Sequence, residues 1–199
     1  MRRLRGRGTA NAGVTPEPSA ISVPNATINV AVHYGNQRVQ PKTALSLGWN
    51  RGIWLRATKV SDDLRFVRCR SRKDLLAVTL LQVLAKQEQS GFLFGEQSEH
   101  EAGLLLRGSD NRRCVGYLIW TEEDAAIVRQ IFVRLEERRQ GLAAAALQFW
   151  VERFGGLSQR FGVESPNEKT LGLLVKLGYA KWQNGGVIGD KCFFVRGVL

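Results

Sequence analysis

Residues 134–143, RLEERRQGLA, run from a charged connection into a series of strong helix formers, and an anion would be held at that junction. A helix start carries partial positive charge and four backbone N–H groups without intrahelical acceptors, which suits a pyrophosphate. Gly141 has no side chain, so a bulky anion can approach the backbone there, and Ala143 is small enough to allow the same closeness one turn into the helix. Few other residues have types suited to moving a proton. Glu164 and Ser165 close a short apolar run, where they either orient a water or an amine or simply end a strand. His33 and Tyr34 stand side by side and either reach a site or pack. Glu122, Glu123 and Asp124 read as a solvated turn. Cys69, Cys114 and Cys192 are odd in number and far apart, and His33 and His100 are two and scattered, so neither a disulfide framework nor a metal site is expected.

The elements that must position these groups follow from periodicity. Residues 126–133, AIVRQIFV, alternate and carry β-branched and aromatic side chains, which predicts a strand delivering the chain to the charged connection. The helix that Gly141 opens, LAAAALQFWVERF, is apolar nearly all round and should be buried against a sheet, ending near Gly155-Gly156. Earlier, residues 64–70 read as a strand and the apolar run 75–87 as a helix with one buried stripe. Ser71 and Asp74 have the spacing of a capping box at that helix start. Leu104–Arg107 and Cys114–Trp120 predict a hairpin, and residues 160–164 a further strand. Asn167 is a good N-cap for a last helix. Tyr179–Gln183 and Lys191–Arg196, joined by Asn184-Gly-Gly186, predict a closing hairpin. The order is strand, helix, hairpin, strand, helix, strand, helix, hairpin, a mixed α/β architecture.

Arg138-x-x-Gly141-x-Ala143, set between a strand and a helix, resembles the Gln/Arg-x-x-Gly-x-Gly/Ala signature of the GNAT N-acyltransferases. Downstream, Asn167-Glu-Lys-Thr170-Leu-Gly-Leu173-Leu174-Val-Lys-Leu177-Gly178-Tyr179 resembles that family's closing segment, which begins with Asn, continues as a helix and ends in Leu-Gly-Phe/Tyr. The resemblance implies a mixed, splayed β-sheet flanked by helices and acetyl-CoA or another acyl-CoA as cofactor. Its pyrophosphate would lie on Arg138, Arg139, Gln140, Gly141, Leu142 and Ala143. Its pantetheine arm would run along the end of the 127–133 strand, where an N–H near Phe132 or Val133 polarises the thioester carbonyl, and Asn167 would contact the ligand. The family commonly takes its proton donor from a tyrosine seven residues after the Asn, and here that position is Leu174. The strand carboxylate often found as base is also missing, because residues 126–133 contain no Asp or Glu. The candidates left for catalysis are Glu164, Ser165, His33 and Tyr34.

Charge divides the chain unevenly. Residues 1–60 hold nine Lys or Arg against the single acid Glu17, net +8, whereas residues 61–199 hold 20 against 17, net +3. This favours a polyanionic partner, nucleic acid ahead of an anionic membrane surface. Residues 1–24 read as a basic disordered tail, 25–60 as a basic extension packing on the main domain, and 61–199 as the acyltransferase-like domain. Trp49 and Trp54 in the extension either stack on bases or pack it down. No run approaches the roughly 20 apolar residues of a membrane span, and the basic start lacks a secretory apolar core, so a cytoplasmic location is expected, that of the host if the source is viral. Three functions fit: an acyltransferase acting on a nucleic-acid amine or an amine associated with nucleic acid, a non-catalytic module binding nucleic acid or CoA, and a small-amine or protein acetyltransferase. Some GNAT-like phage proteins of the Mom type modify DNA bases, an analogy of fold for the first.

Overall fold

The computed structural model describes residues 55–88, 100–107, 113–122, 124–155 and 160–196, together with the backbone of 32–34 and 37–39. In chain order the strands are β1 (Val32–Tyr34), β2 (Gln37–Val39), β3 (Thr58–Lys59), β4 (Leu64–Arg68), β5 (Glu101–Arg107), β6 (Arg113–Glu122), β7 (Ala126–Val133), β8 (Phe161–Glu164), β9 (Ala180–Gln183), β10 (Gly186–Gly189) and β11 (Cys192–Val195). The helices are α1 (Arg72–Glu88), α2 (Leu142–Trp150) and α3 (Glu168–Lys176). Seven strands make the main sheet in the order β11-β8-β7-β6-β5-β4-β3. Pairing is antiparallel from β3 to β7, then parallel between β7 and β8 and between β8 and β11.

Both faces of the sheet are covered, which is why the interior of β6 is buried on consecutive residues instead of alternate ones. On one face α1 packs Ala77, Leu81, Leu84 and Ala85 against Leu104, Tyr117, Ile119 and Phe132. On the other, α2 and α3 set Leu147, Trp150 and Leu174 against Leu118, Trp120 and Phe161. The start of α1 carries the predicted capping box. Asp74 N–H donates to Ser71 Oγ at 3.2 Å, and Asp74 Oδ2 accepts from Ser71 N–H at 3.1 Å and Arg70 N–H at 3.0 Å. Arg56 adds an ion pair of 2.7 Å to the buried carboxylate. Burial works against the charged form of Asp74, but the hydrogen bonds from Arg56, Arg70 and Ser71 outweigh it and hold the carboxyl below its usual range.

The sheet splays, as the family resemblance implies. β7 and β8 pair at Ile127↔Gly162 and Val128↔Val163, while β7 continues five residues further against β6. Gly162 permits the close crossing, since a Cβ there would lie 2.7 Å from the Ile127 side chain and 3.0 Å from the Phe193 ring. Just past the paired stretch the β6–β7 register shifts: Val128 faces Trp120 and Gln130 faces Ile119, leaving Arg129 as the extra residue of a bulge.

The closing segment differs from its prediction. β9 turns back through Asn184 and Gly185, both at positive φ (50° and 78°), and pairs with β10. Residues 192–195 instead join the main sheet as β11, parallel to β8. A two-residue turn with left-handed backbone at both central positions returns the chain at once, so Gly186–Gly189 and not Lys191–Arg196 becomes the partner. Ahead of β4, Thr58–Lys59 form a short strand on the edge of the main sheet. The expected tail at 1–24, Trp49, Trp54 and the turn at 108–111 lie outside the described residues.

Candidate functional site

The chain leaves β7 at Val133, makes one 3-10 turn at Leu135–Glu137, and enters α2 at Leu142. Between them Arg139 (φ 65°) and Gly141 (φ 76°) are both left-handed, a backbone habit that makes concavities lined with N–H groups. The first bond of α2 runs from Ala145 N–H to Gly141 O at 3.0 Å, so the N–H groups of Leu142, Ala143 and Ala144 precede the helical ladder. The cap residue is Gly141, which brings no side chain to them. A Cβ on Gly141 would meet nothing within 4 Å, so the space before these donors is open. This turn fits a pyrophosphate.

Arg138 shapes the turn from within. Its Nε donates to Val133 O at 2.8 Å, its Nη2 lies 2.7 Å from Glu88 Oε2, and its guanidinium stands 5.6 Å from the centre of the Phe132 ring. Its backbone N–H donates to Leu135 O at 3.3 Å and is therefore engaged within the turn. Burial pushes the Glu88 carboxyl up in spite of the neighbouring Arg138. Arg139, Gln140 and Gly141 are exposed, Ala143 is half-buried, and Leu142 is buried in the core beneath α2.

Phe132 and Val133 are buried at the end of β7, beyond its pairing with β8. Arg129 Nη1 lies 2.9 Å from Glu164 Oε2 and so ties the two strands together where they diverge. Close by on β7, Gln130 Oε1 accepts long hydrogen bonds of 3.3 Å from Tyr117 Oη and from Gln82 Nε2. Ser165 is exposed and left-handed (φ 39°), and its N–H donates to Val195 O at 2.8 Å. Asn167 caps α3: its Oδ1 accepts from Thr170 N–H at 2.9 Å and from Thr170 Oγ1 at 3.0 Å. Leu174 is fully buried in the apolar cluster. His33 and Tyr34 lie on β1, which among the described residues pairs with β2 in a two-stranded sheet, opposite Arg38 and Gln37. The geometry thus gathers the turn at 138–143 and the Arg129–Glu164 pair around the splay. Sequence reasoning missed Arg129, because a bulge leaves no mark in the alternation of a strand. It also missed Glu137, whose burial is a tertiary fact. Among the described residues no three His, Cys, Asp or Glu gather as metal ligands.

Residues 74–179 match the family model for acetyltransferases of the GNAT type, a span of 106 of the 199 residues that takes in α1, the splay and the turn. The chain belongs to the GNAT family. Among solved structures, the xEco2 acetyltransferase domain aligns over 61% of this GNAT chain and 89% of its own, at 15% identity and a TM-score of 0.50, a likeness of fold. YhhK of E. coli, bound to coenzyme A, aligns over 62% of this chain and 95% of its own at 18% identity, with a TM-score of 0.43. An aminoglycoside acetyltransferase from an uncultured soil metagenomic sample, in complex with trehalose, aligns over 60% and 90% at 17% identity and 0.43. No curated protein matches the chain. As a GNAT acetyltransferase the protein takes acyl-CoA as cofactor, and the open turn at Arg139–Ala144 beside the splay fits that group.

Proposed function

We propose that this GNAT protein acylates an amine of nucleic acid, a base in DNA or RNA, or an amine held against nucleic acid, in the cytoplasm. The observation that carries the acceptor is the charge of residues 1–60, net +8 in less than a third of the chain. Acyl-CoA supplies the activated thioester. Around it, the N–H groups from Arg139 to Ala144 hold the pyrophosphate, and residues 130–133, beyond the pairing of β7 with β8, receive the pantetheine arm as an added strand. A β7 N–H at Phe132 or Val133 polarises the carbonyl. Glu164, fixed by Arg129, orients the attacking amine beside the opening, with Ser165 next to it and His33 and Tyr34 contributed by the extension. Leu174 donates no proton, and none is required for release, because a thiol with pKa about 8.5 departs as thiolate at modest cost near neutral pH, and the proton lost by the amine passes to solvent.

A second reading, a GNAT-fold module that binds nucleic acid or CoA without catalysis, is favoured by two features together: buried Leu174 in the donor's place and no carboxylate on residues 126–133. Mass spectrometry of nucleosides and proteins from cells with and without the gene separates these readings. An acylated nucleoside present only with the gene supports the proposal. An acylated protein or small amine in its place removes the nucleic-acid acceptor, and no new acyl product leaves the binding module.

A further inference from the structure

We infer that Glu137 is the positioning residue that sets the phosphate-holding turn, acting through Arg107, Arg113 and Gln140, so that it governs affinity for the pyrophosphate half of the cofactor and not for the pantetheine half. The inference rests on the reading that acyl-CoA lies on Arg139–Ala144. Arg107 and Arg113 face each other directly across β5 and β6. Like charges so placed repel, and the sheet would not keep them together unaided. Glu137 resolves the conflict from outside the sheet. Its side chain is 1% exposed, Arg107 Nη1 lies 2.7 Å from its Oε2, and Arg113 Nη2 lies 2.5 Å from its Oε1. Arg107 also bonds Asp63 before β4 and Gln140 Oε1, while Gln140 Nε2 donates to Glu136 O at 3.5 Å.

A single 3-10 turn has no stability of its own, so Leu135–Glu137 takes its shape from these tethers and from Arg138. The tethers act on both sides of the turn, at Glu137 before it and at Gln140 within it. They tie the Gln140 side chain to Arg107 and to the Glu136 carbonyl, and so hold the N–H groups ready before a ligand arrives. A preorganised donor set binds more tightly because less ordering is required on association. A buried carboxylate between two guanidiniums is also the kind of group whose loss uncovers charge, since charge-assisted bonds are the strong ones.

Calorimetry with CoA and with pantetheine, which lacks the pyrophosphate, tests this on the full chain. Glu137→Gln keeps the shape and removes the charge. It should raise the Kd for CoA about tenfold or more, as expected for a lost charge-assisted bond, while the Kd for pantetheine changes less than about twofold. Amide hydrogen exchange at residues 138–143 of the unliganded variant should quicken, with β6 and β7 unchanged. Gln140→Ala, which truncates an exposed side chain and leaves the core intact, should give the same CoA-selective loss at about threefold and decides the matter if Glu137→Gln fails to fold. Equal weakening of both ligands, or of neither, overturns the positioning role. A wild-type protein with no preference for CoA over pantetheine overturns the cofactor site itself, and the inference with it.

Discussion

Gly141 has its backbone at φ 76° with open space where a side chain would stand, so two separate costs meet in one residue. Gly141→Val places a β-branched residue in left-handed backbone, at about 1–2 kcal/mol of strain, and fills the approach to the N–H groups. Acyl-CoA binding should become undetectable by calorimetry, and an unchanged affinity would remove the turn from the site. Leu174→Tyr tests the missing donor. The position is fully buried, so a larger ring should cost about 1–3 kcal/mol by overpacking, read as a lower melting temperature, with no gain in acetyl transfer. A large gain would instead mark the site as a degraded form of the usual mechanism and favour the binding module. The place of Gly141 at a helix start was legible, because a glycine opening a run of strong helix formers is a local signal. The engagements of Arg138 with Val133 and Glu88 were not, since a side chain of that length points where tertiary partners draw it.

At the scale of elements, the start of α1 shows how far local rules reach. The Ser71–Asp74 spacing foretold the reciprocal bonds, while the ion pair with Arg56, 18 residues away, lies beyond any local pattern. Asp74→Asn keeps the shape but removes the charge that three groups address, at about 2 kcal/mol of stability near neutral pH by urea unfolding. A loss below about 0.5 kcal/mol would show that the cap and not the charge matters. The carboxyl is held below its unfolded pKa, so its contribution is complete above an unfolded value of about 3.9 and is lost as pH falls through the lower folded one. Wild type and variant should therefore converge in stability only in that acid window. The β9–β10 turn makes the contrary case. Asn184 and Gly185 were visible as a turn, but treating Gly186 as part of the loop moved the return strand to the wrong residues. β11 then joins β8 by burying Cys192, a choice that depends on which sheet edge stands open.

For the whole molecule, the charge asymmetry predicts how binding responds to salt. Each phosphate neutralised on duplex DNA contributes a log–log slope of about −0.9. Of the cations before residue 60, Arg56 is committed to Asp74 and Lys59 pairs with Asp62, which leaves Arg2, Arg3, Arg5, Arg7, Arg38, Lys42 and Arg51 as the phosphate candidates. If about five of them touch phosphate, the slope should be roughly −4 to −5 in a titration of affinity against salt. Deleting residues 1–24 should lower the slope and leave cofactor binding intact. Binding without salt dependence, or no binding, would bring a small amine or protein forward as acceptor. Sequence composition showed where the positive charge resides along the chain. It could not show that Arg56 braces the domain, because that ion pair joins residues 18 apart in the chain. No helix among the described residues is long and apolar enough to cross a membrane.

The three cysteines carry a practical consequence. Cys69, Cys114 and Cys192 form no disulfide among the described residues and are buried, and burial pushes every thiol up, Cys114 to about 12 and Cys192 to about 11. Disulfide exchange runs through the thiolate and needs access, so a chromogenic aromatic disulfide will find nothing to react with on the native protein. The thiol released at each turnover will be the one group that cleaves the dye and sets free its coloured thiolate in a continuous assay. Once the chain unfolds, the same dye will register three further equivalents, so catalysis and denaturation can be followed by a single reagent in one cuvette.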